Sequence, residues 1–410
     1  MLKFAKVLVD NAETTGEAVA ASERLAKNLG LEAQVIPGWR DIELTATDGK
    51  ESLVSVTRAN PTGDDMDRVV STMNVIDGAN SGQRSLAQLQ QAIDRISHAP
   101  PVATWIFAIG AAGGAVALSV LFGVQHLLSV VIIAASAGIG ALIRREIGKQ
   151  TINPFVQPFC AALLAGVIGA VAVKYNLSTN LRLIAVCPCL VLVPGPHVLN
   201  GMLDLLQTRI GMAISRLVYA GFILLAISAG LLVTFGLFQV SLPVEASGVP
   251  IPLAVDVVAA GVAAAAYSIF YSTPPRMIIW PVVVGMIAHA IHYETLATGG
   301  NAIMAAFVAA LFVGLVMTPI SKFRRMPFAG VGFACVVSMI PGVYVLRMVS
   351  GLVQLINSPS STQQLLLPTL SDGVTAAGIT LALTFGLIVP KLVIDHYMSK
   401  LQVGVRRDLG

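Results

Sequence analysis

The chain has 410 residues, 55% of them hydrophobic and only 12% charged, with a mean hydropathy of +0.79. That composition excludes an ordinary soluble domain and points to a polytopic α-helical membrane protein. The net charge of +4 divides unevenly: residues 1–98 hold 10 Lys/Arg against 14 Asp/Glu, and the remainder holds 16 against 8. A mildly acidic soluble segment therefore precedes a basic, apolar one, and without a continuous basic stripe carrying aromatics there is no case for nucleic-acid binding.

The soluble part, residues 1–98, reads as a small α/β domain of order α-β-β-β-α-α. A helical pattern covers 11–29, with Ala12, Val19, Leu25 and Leu29 interleaved with charges and Gly30 as its stop. Alternating runs at Ala33–Ile36, Asp41–Thr45 and Ser52–Thr57 read as strands, with Thr47-Asp48-Gly49-Lys50 turning between the last two. Helices follow to about Ile76 and from Ser85 to Ser97, and Ala99-Pro100-Pro101 marks the boundary. Met1 to Leu29 carry charges throughout and lack the apolar core of a signal peptide, so the domain is expected to stay where it is made.

Ten apolar spans follow, at 102–124, 127–143, 155–173, 181–203, 213–238, 252–272, 276–293, 302–320, 328–350 and 373–394. The loop Ser241 to Pro252 separates five from five, giving modules at 102–240 and 251–397 and a tail at 398–410. A polar loop, Asn357 to Asp372, precedes the last span. With the N-terminal domain and the tail in the cytoplasm, inside segments collect thirteen Lys/Arg and outside ones only Lys174, Arg182 and Arg347. Trp105 and Trp280 then fall at the inner interface, Tyr175 and Tyr293 at the outer one. Five spans per half force the second module to enter from the opposite side, the arrangement of an inverted repeat.

The fourth span of each half carries the same break, Leu192-Val193-Pro194-Gly195 and Met339-Ile340-Pro341-Gly342. Proline removes a backbone donor, and in hydrocarbon the freed groups need protein or a water-lined cavity. Paired broken helices are the sequence signature of a transporter site, and Pro194, Gly195, Pro341 and Gly342 are its candidates. Half-helix N-termini there could face a carboxylate, and freed carbonyls an ammonium group. A packing kink is the plainer alternative.

His197 lies one turn beyond the first break, as a substrate ligand or as a neutral ring bonded to a carbonyl. Asn200 and Asp204 share its helix at i,i+4 spacing, and Asp204 either carries a proton or pairs with Arg216. Asp256, His289, His292 and Lys391 read as interfacial, solvated groups, and Gly110 and Gly114 as a close helix contact. Asp64, Asp65 and Asp67 read as charges complementing a helix N-terminus. The cysteines Cys160, Cys187, Cys189 and Cys335 lack the spacing of a metal or redox site. No phosphate loop, catalytic triad or zinc pattern appears, so no cofactor, metal or enzymatic activity is expected.

At Val193-Pro194-Gly195, Asn200, Asp204, Gly211 and Arg216, and again at Arg324-Arg325 and Ile340-Pro341-Gly342, the chain resembles the threonine/serine exporter family. The resemblance covers nearly the whole length, as two modules fused in one chain. It implies an inner-membrane exporter of small hydroxy amino acids driven by protons, with a dicarboxylate exporter as the alternative and a membrane-tethered enzyme or sensor as a more distant one. Pro196-His197 stands where the family pattern leads one to expect small aliphatic residues. Expected partners are the substrate, protons and the bilayer, with homo-oligomerisation left open.

Overall fold

The computed structural model describes residues 1–80, 85–150, 153–175, 177, 181–239, 251–357 and 362–408. Most of the loop expected at Ser241 to Pro252 lies outside them, as do residues 358–361 of the one expected at Asn357 to Asp372, whose remainder is helical.

Helices α1 (Leu2–Asp10), α2 (Thr15–Asn28), α3 (Met66–Asn80) and α4 (Leu86–His98) accompany a three-stranded antiparallel sheet of β1 (Glu32–Pro37), β2 (Asp41–Thr47) and β3 (Ser52–Arg58). Val35 pairs with Leu44, and Leu44 with Ser55. Ile42, Leu44 and Ala46 alternate inward on β2 and share one apolar cluster with Leu8, Leu25, Val69 and Ile76. Helix α1 is a departure from the sequence pattern. Lys3 and Lys6 interrupt its apolar run, yet both lie on the outer face, bonded to Asp94 and Asp10 at 2.7 Å. Residues 11–14, expected as the first turn of a helix, are instead the link between α1 and α2. Ala12 sits there in left-handed backbone at φ 63°, a conformation unusual for a residue with a side chain. Thr14 then caps α2 by accepting from the Glu17 amide.

The membrane part comprises α5 (Thr104–Leu121), α6 (Leu127–Gln150), α7 (Val156–Lys174), α8 (Leu181–Leu190), α9 (Gly195–Leu206) and α10 (Ile210–Phe238), then α11 (Leu253–Phe270), α12 (Ile279–Ala297), α13 (Ala302–Arg324), α14 (Phe328–Val336), α15 (Gly342–Asn357) and α16 (Thr362–Asp408). Among the described residues eight helices are long and apolar enough to cross a bilayer. Two bent pairs, α8 with α9 at 52° and α14 with α15 at 65°, raise the number to ten if each is one span. The last helix is longer than the expected span 373–394: α16 begins at Thr362 and runs to Asp408, 47 residues in all.

Both bends fall at the Pro-Gly pairs, and their cause can be followed atom by atom. Pro194 has no amide to give the Leu190 carbonyl four residues back. The Tyr267 hydroxyl of α11 donates to that carbonyl instead, at 2.7 Å, alongside the Val193 amide at 3.2 Å. The glycines are not there for left-handed backbone, since neither has positive φ. They are there for approach. A Cβ on Gly195 would overlap the ring of Phe333 from α14, and one on Gly342 would overlap Leu190 from α8. Each broken pair thus seats a side chain of the other against its own break.

Three polar groups read as solvated are buried instead. Asp256 and His289 meet at 2.5 Å, both under a tenth exposed, between α11 and α12. Lys391 lies over the Phe328 ring and bonds Asp395 at 2.8 Å. Burial in each case is offset by a partner on a neighbouring turn or helix.

Gly195→Ala should lower the melting temperature of the purified protein by an amount equivalent to roughly 1–3 kcal/mol of overpacking. Adding Phe333→Leu, which shrinks the opposing side chain, should recover part of that loss.

Candidate functional site

Three polar residues of α9 lie along one face at helical spacing, His197, Asn200 and Asp204, each about 1% exposed. Their partners come from the N-terminal domain. The His197 Nε2 lies 3.0 Å from the Pro61 carbonyl, and its Nδ1 lies 3.6 Å from Asp64 Oδ1. Asn200 donates to the carbonyl of the left-handed Ala12 at 2.9 Å. The Thr15 hydroxyl donates to Asp204 at 2.9 Å and accepts from Arg216 of α10 at 3.4 Å. Arg216 Nε closes the group 3.2 Å from Asp204. Asp204 and Arg216 stand as an ion pair in this conformation.

The sequence candidates therefore separate into two places. Gly195, Pro341 and Gly342 border a cavity of about 120 Å³ between the broken pairs, walled by Phe333 and other apolar side chains, with Thr380 and Thr384 as its hydroxyls. The breaks thus enclose an apolar space rather than a polar chamber. Pro194 and His197 face a second cavity, also about 120 Å³, together with Asp64, Arg144, Tyr219 and Tyr271. Its walls are mostly polar. Asn200, Asp204 and Arg216 continue from it as a buried lane already filled by Ala12 and Thr15.

Of the two charged groups of the second cavity, the sequence marks Asp64 only as a charge at a helix N-terminus and Arg144 only as a topogenic charge. Asp65 caps α3, accepting from the Arg68 amide at 3.2 Å, and Asp67 is exposed. Asp64 does neither and points to His197. Burial pushes its carboxyl above the ordinary range, and His197, Arg144 and Arg216 draw it partly back. Arg144, on α6, stacks 5.1 Å from the Phe270 ring centre. Asp64 Oδ1, Arg144 Nη1 and His197 Nδ1 are buried atoms with no hydrogen-bond partner. The signal available was modest: two adjacent carboxylates, Asp64-Asp65, stand where a helix cap needs one.

A further contact ties the N-terminal domain to the second half. Glu13, 3% exposed, accepts from the Thr14 amide at 2.7 Å and borders a small gap with Lys322, Arg325 and Lys391. Arg325 also pairs with Asp77 at 2.6 Å, and the Met66 amide donates to the Tyr271 carbonyl at 2.9 Å. Burial, aided by nearby Glu17, pushes the Glu13 carboxyl up to about 7.

Residues 1–238 match a family model described as "Putative threonine/serine exporter", and residues 256–393 match one described as "Threonine/Serine exporter, ThrE". A protein of Mycobacterium tuberculosis (strain ATCC 25618 / H37Rv), described as "Probable threonine/serine exporter", is 24% identical over 367 residues, covering 85% of this chain and 68% of its own length. No solved structure matches.

The raised Glu13 carboxyl makes docking of the N-terminal domain depend on pH. The docked form holds the proton between the ordinary value of 4.5 and about 7. Docking is therefore strongest below that window, weakens as pH rises through it and levels off above. Hydrogen exchange at residues 11–15, corrected for intrinsic rates, should report more opening at pH 8 than at pH 5.5. Glu13→Gln should flatten most of the difference.

Proposed function

Since the chain belongs to the threonine/serine exporter family, we propose that it is a secondary transporter that carries threonine and serine out across the inner membrane in exchange for protons. The observation that carries this reading is the reciprocal seating of the two broken pairs, Phe333 against Gly195 and Leu190 against Gly342. In a five-plus-five inverted repeat, such a junction is where one half rocks against the other. Packed side chains of this kind have discrete arrangements, so opening on one side and closing on the other follow as one motion.

The N-terminal domain lies in the cytoplasm, supported by the Lys/Arg bias of the loops. Its links at 11–15 and 60–66 fill the polar lane of α9 and act as the inner gate. In this reading the conformation described here is closed on the cytoplasmic side.

A dicarboxylate is a poorer fit. Beside Arg144 the polar cavity presents the Asp64 carboxyl, which would repel a second anionic group but suits an ammonium.

Cells overproducing the protein and loaded with threonine-containing dipeptides should release threonine faster than controls, and collapsing the proton gradient should abolish the difference. Equal release of threonine with and without the protein, alongside accelerated succinate release, would replace this reading with dicarboxylate export. Pro194-Gly195 changed to Ala-Ala should cut transport while leaving the protein in the membrane.

A further inference from the structure

An amino acid zwitterion buried in a low-dielectric site needs a partner for each of its charges, and a carboxylate and a guanidinium are the strongest that side chains offer. The polar cavity supplies both, from different parts of the chain. Asp64 comes from the N-terminal domain, on the link before α3, and Arg144 from α6 of the membrane part, just past its apolar span. A purely structural Asp and Arg in such a place would close on each other. Among the described residues they form no ion pair together: the contact of Asp64 is His197 at 3.6 Å, and Arg144 rests on the Phe270 ring. Each keeps a buried polar atom without a hydrogen-bond partner, as does His197. Groups of this kind are normally satisfied, so three converging on one space point to something that belongs in it. The space of about 120 Å³ is on the scale of a small amino acid, since a cavity of roughly 150 Å³ takes a molecule the size of benzene.

We infer that this cavity is the amino acid site, with Asp64 taking the substrate ammonium and Arg144 its carboxylate, so that the N-terminal domain supplies half of the binding charge. This rests on the exporter reading and gives it an address other than the space between the Pro-Gly breaks. Thr62, Tyr219 and Tyr271 border the remaining volume, beside Pro194 and Val193, as hydroxyl partners and an apolar wall for a small side chain. A second consequence follows from the placement of Asp64. Loading the substrate and shutting the inner gate become one event, since the residue that holds the ammonium arrives with the domain that closes the mouth. The substrate ammonium and a proton compete for the same carboxylate, which His197, Arg144, Arg216, Tyr219 and Tyr271 face from α9, α6, α10 and the end of α11.

The test uses the full-length protein in nanodiscs and three probes: L-threonine, 3-hydroxybutyrate, which lacks the ammonium, and L-threoninol, which lacks the carboxylate. Wild type should prefer threonine to both analogues. Asp64→Asn should weaken threonine roughly ten- to hundredfold, the range of a charge-assisted hydrogen bond, with little effect on 3-hydroxybutyrate. Arg144→Gln should weaken threonine similarly and spare threoninol. Folded variants that bind threonine as wild type does would overturn the site while leaving the exporter reading intact. Equal losses for all three probes would reduce both residues to structural supports and overturn it as well. A wild type that neither exports nor binds threonine would sink both readings together. An independent measurement avoids changing either charge. Thr62→Cys, in a background lacking Cys160, should be modified by a small thiol reagent more slowly when threonine is present, and an unchanged rate would count against the site.

Discussion

Arg216 has none of its surface in contact with solvent, and the balance of its charge governs how the rest of the molecule is put together. Asp204 on the preceding helix supplies the counter-charge, and Thr15 of the N-terminal domain bonds to both. Stranding one member of such a pair typically costs about 3–5 kcal/mol, a large part of the stability of any domain. The arrangement therefore fixes α9 against α10 and fixes the N-terminal domain against both. What composition marks as a soluble domain joined to a membrane domain is, energetically, one body on that side. The left-handed Ala12 fits the same picture, since its carbonyl serves Asn200 in the same lane.

A second constraint acts at the breaks. A proline in hydrocarbon leaves a carbonyl that must be answered, and α11 answers the first one with Tyr267. That hydroxyl crosses from the second module into the first. So do Phe333 and, in the other direction, Leu190. The halves are held by groups that each lacks and the other provides, which couples any motion of one to the other.

Much of this was legible in the sequence, and the reason is periodicity. Apolar runs of membrane length lie where α5 to α16 lie, and proline marks both bends, because hydrocarbon leaves few ways to arrange a backbone. Strand alternation likewise located β1 to β3. What could not be read was set by partners distant in sequence. Asp64 and Asp65 are chemically identical neighbours, yet one caps α3 and the other faces His197 more than a hundred residues away. Arg144 counted as one topogenic charge among thirteen, and only packing distinguishes it from Arg145 beside it. Asp256 and His289 looked solvated because each sits towards the end of its expected span, 252–272 and 276–293, and neither position announces the other. Helix α1 was lost to its two lysines, which mask an apolar face that only the folded domain reveals.

The interlocked glycines bear on how such a machine could be divided. The family models meet this chain as two stretches, 1–238 and 256–393, so the natural place to sever it lies between them. Each severed piece would carry a notch shaped for a side chain it no longer owns, Phe333 for one and Leu190 for the other. Two genes could then encode what one does here, with mutual recognition already written into the mould. Neither product would be expected to persist alone, and the cell's supply of working carrier would be set by the scarcer of the two.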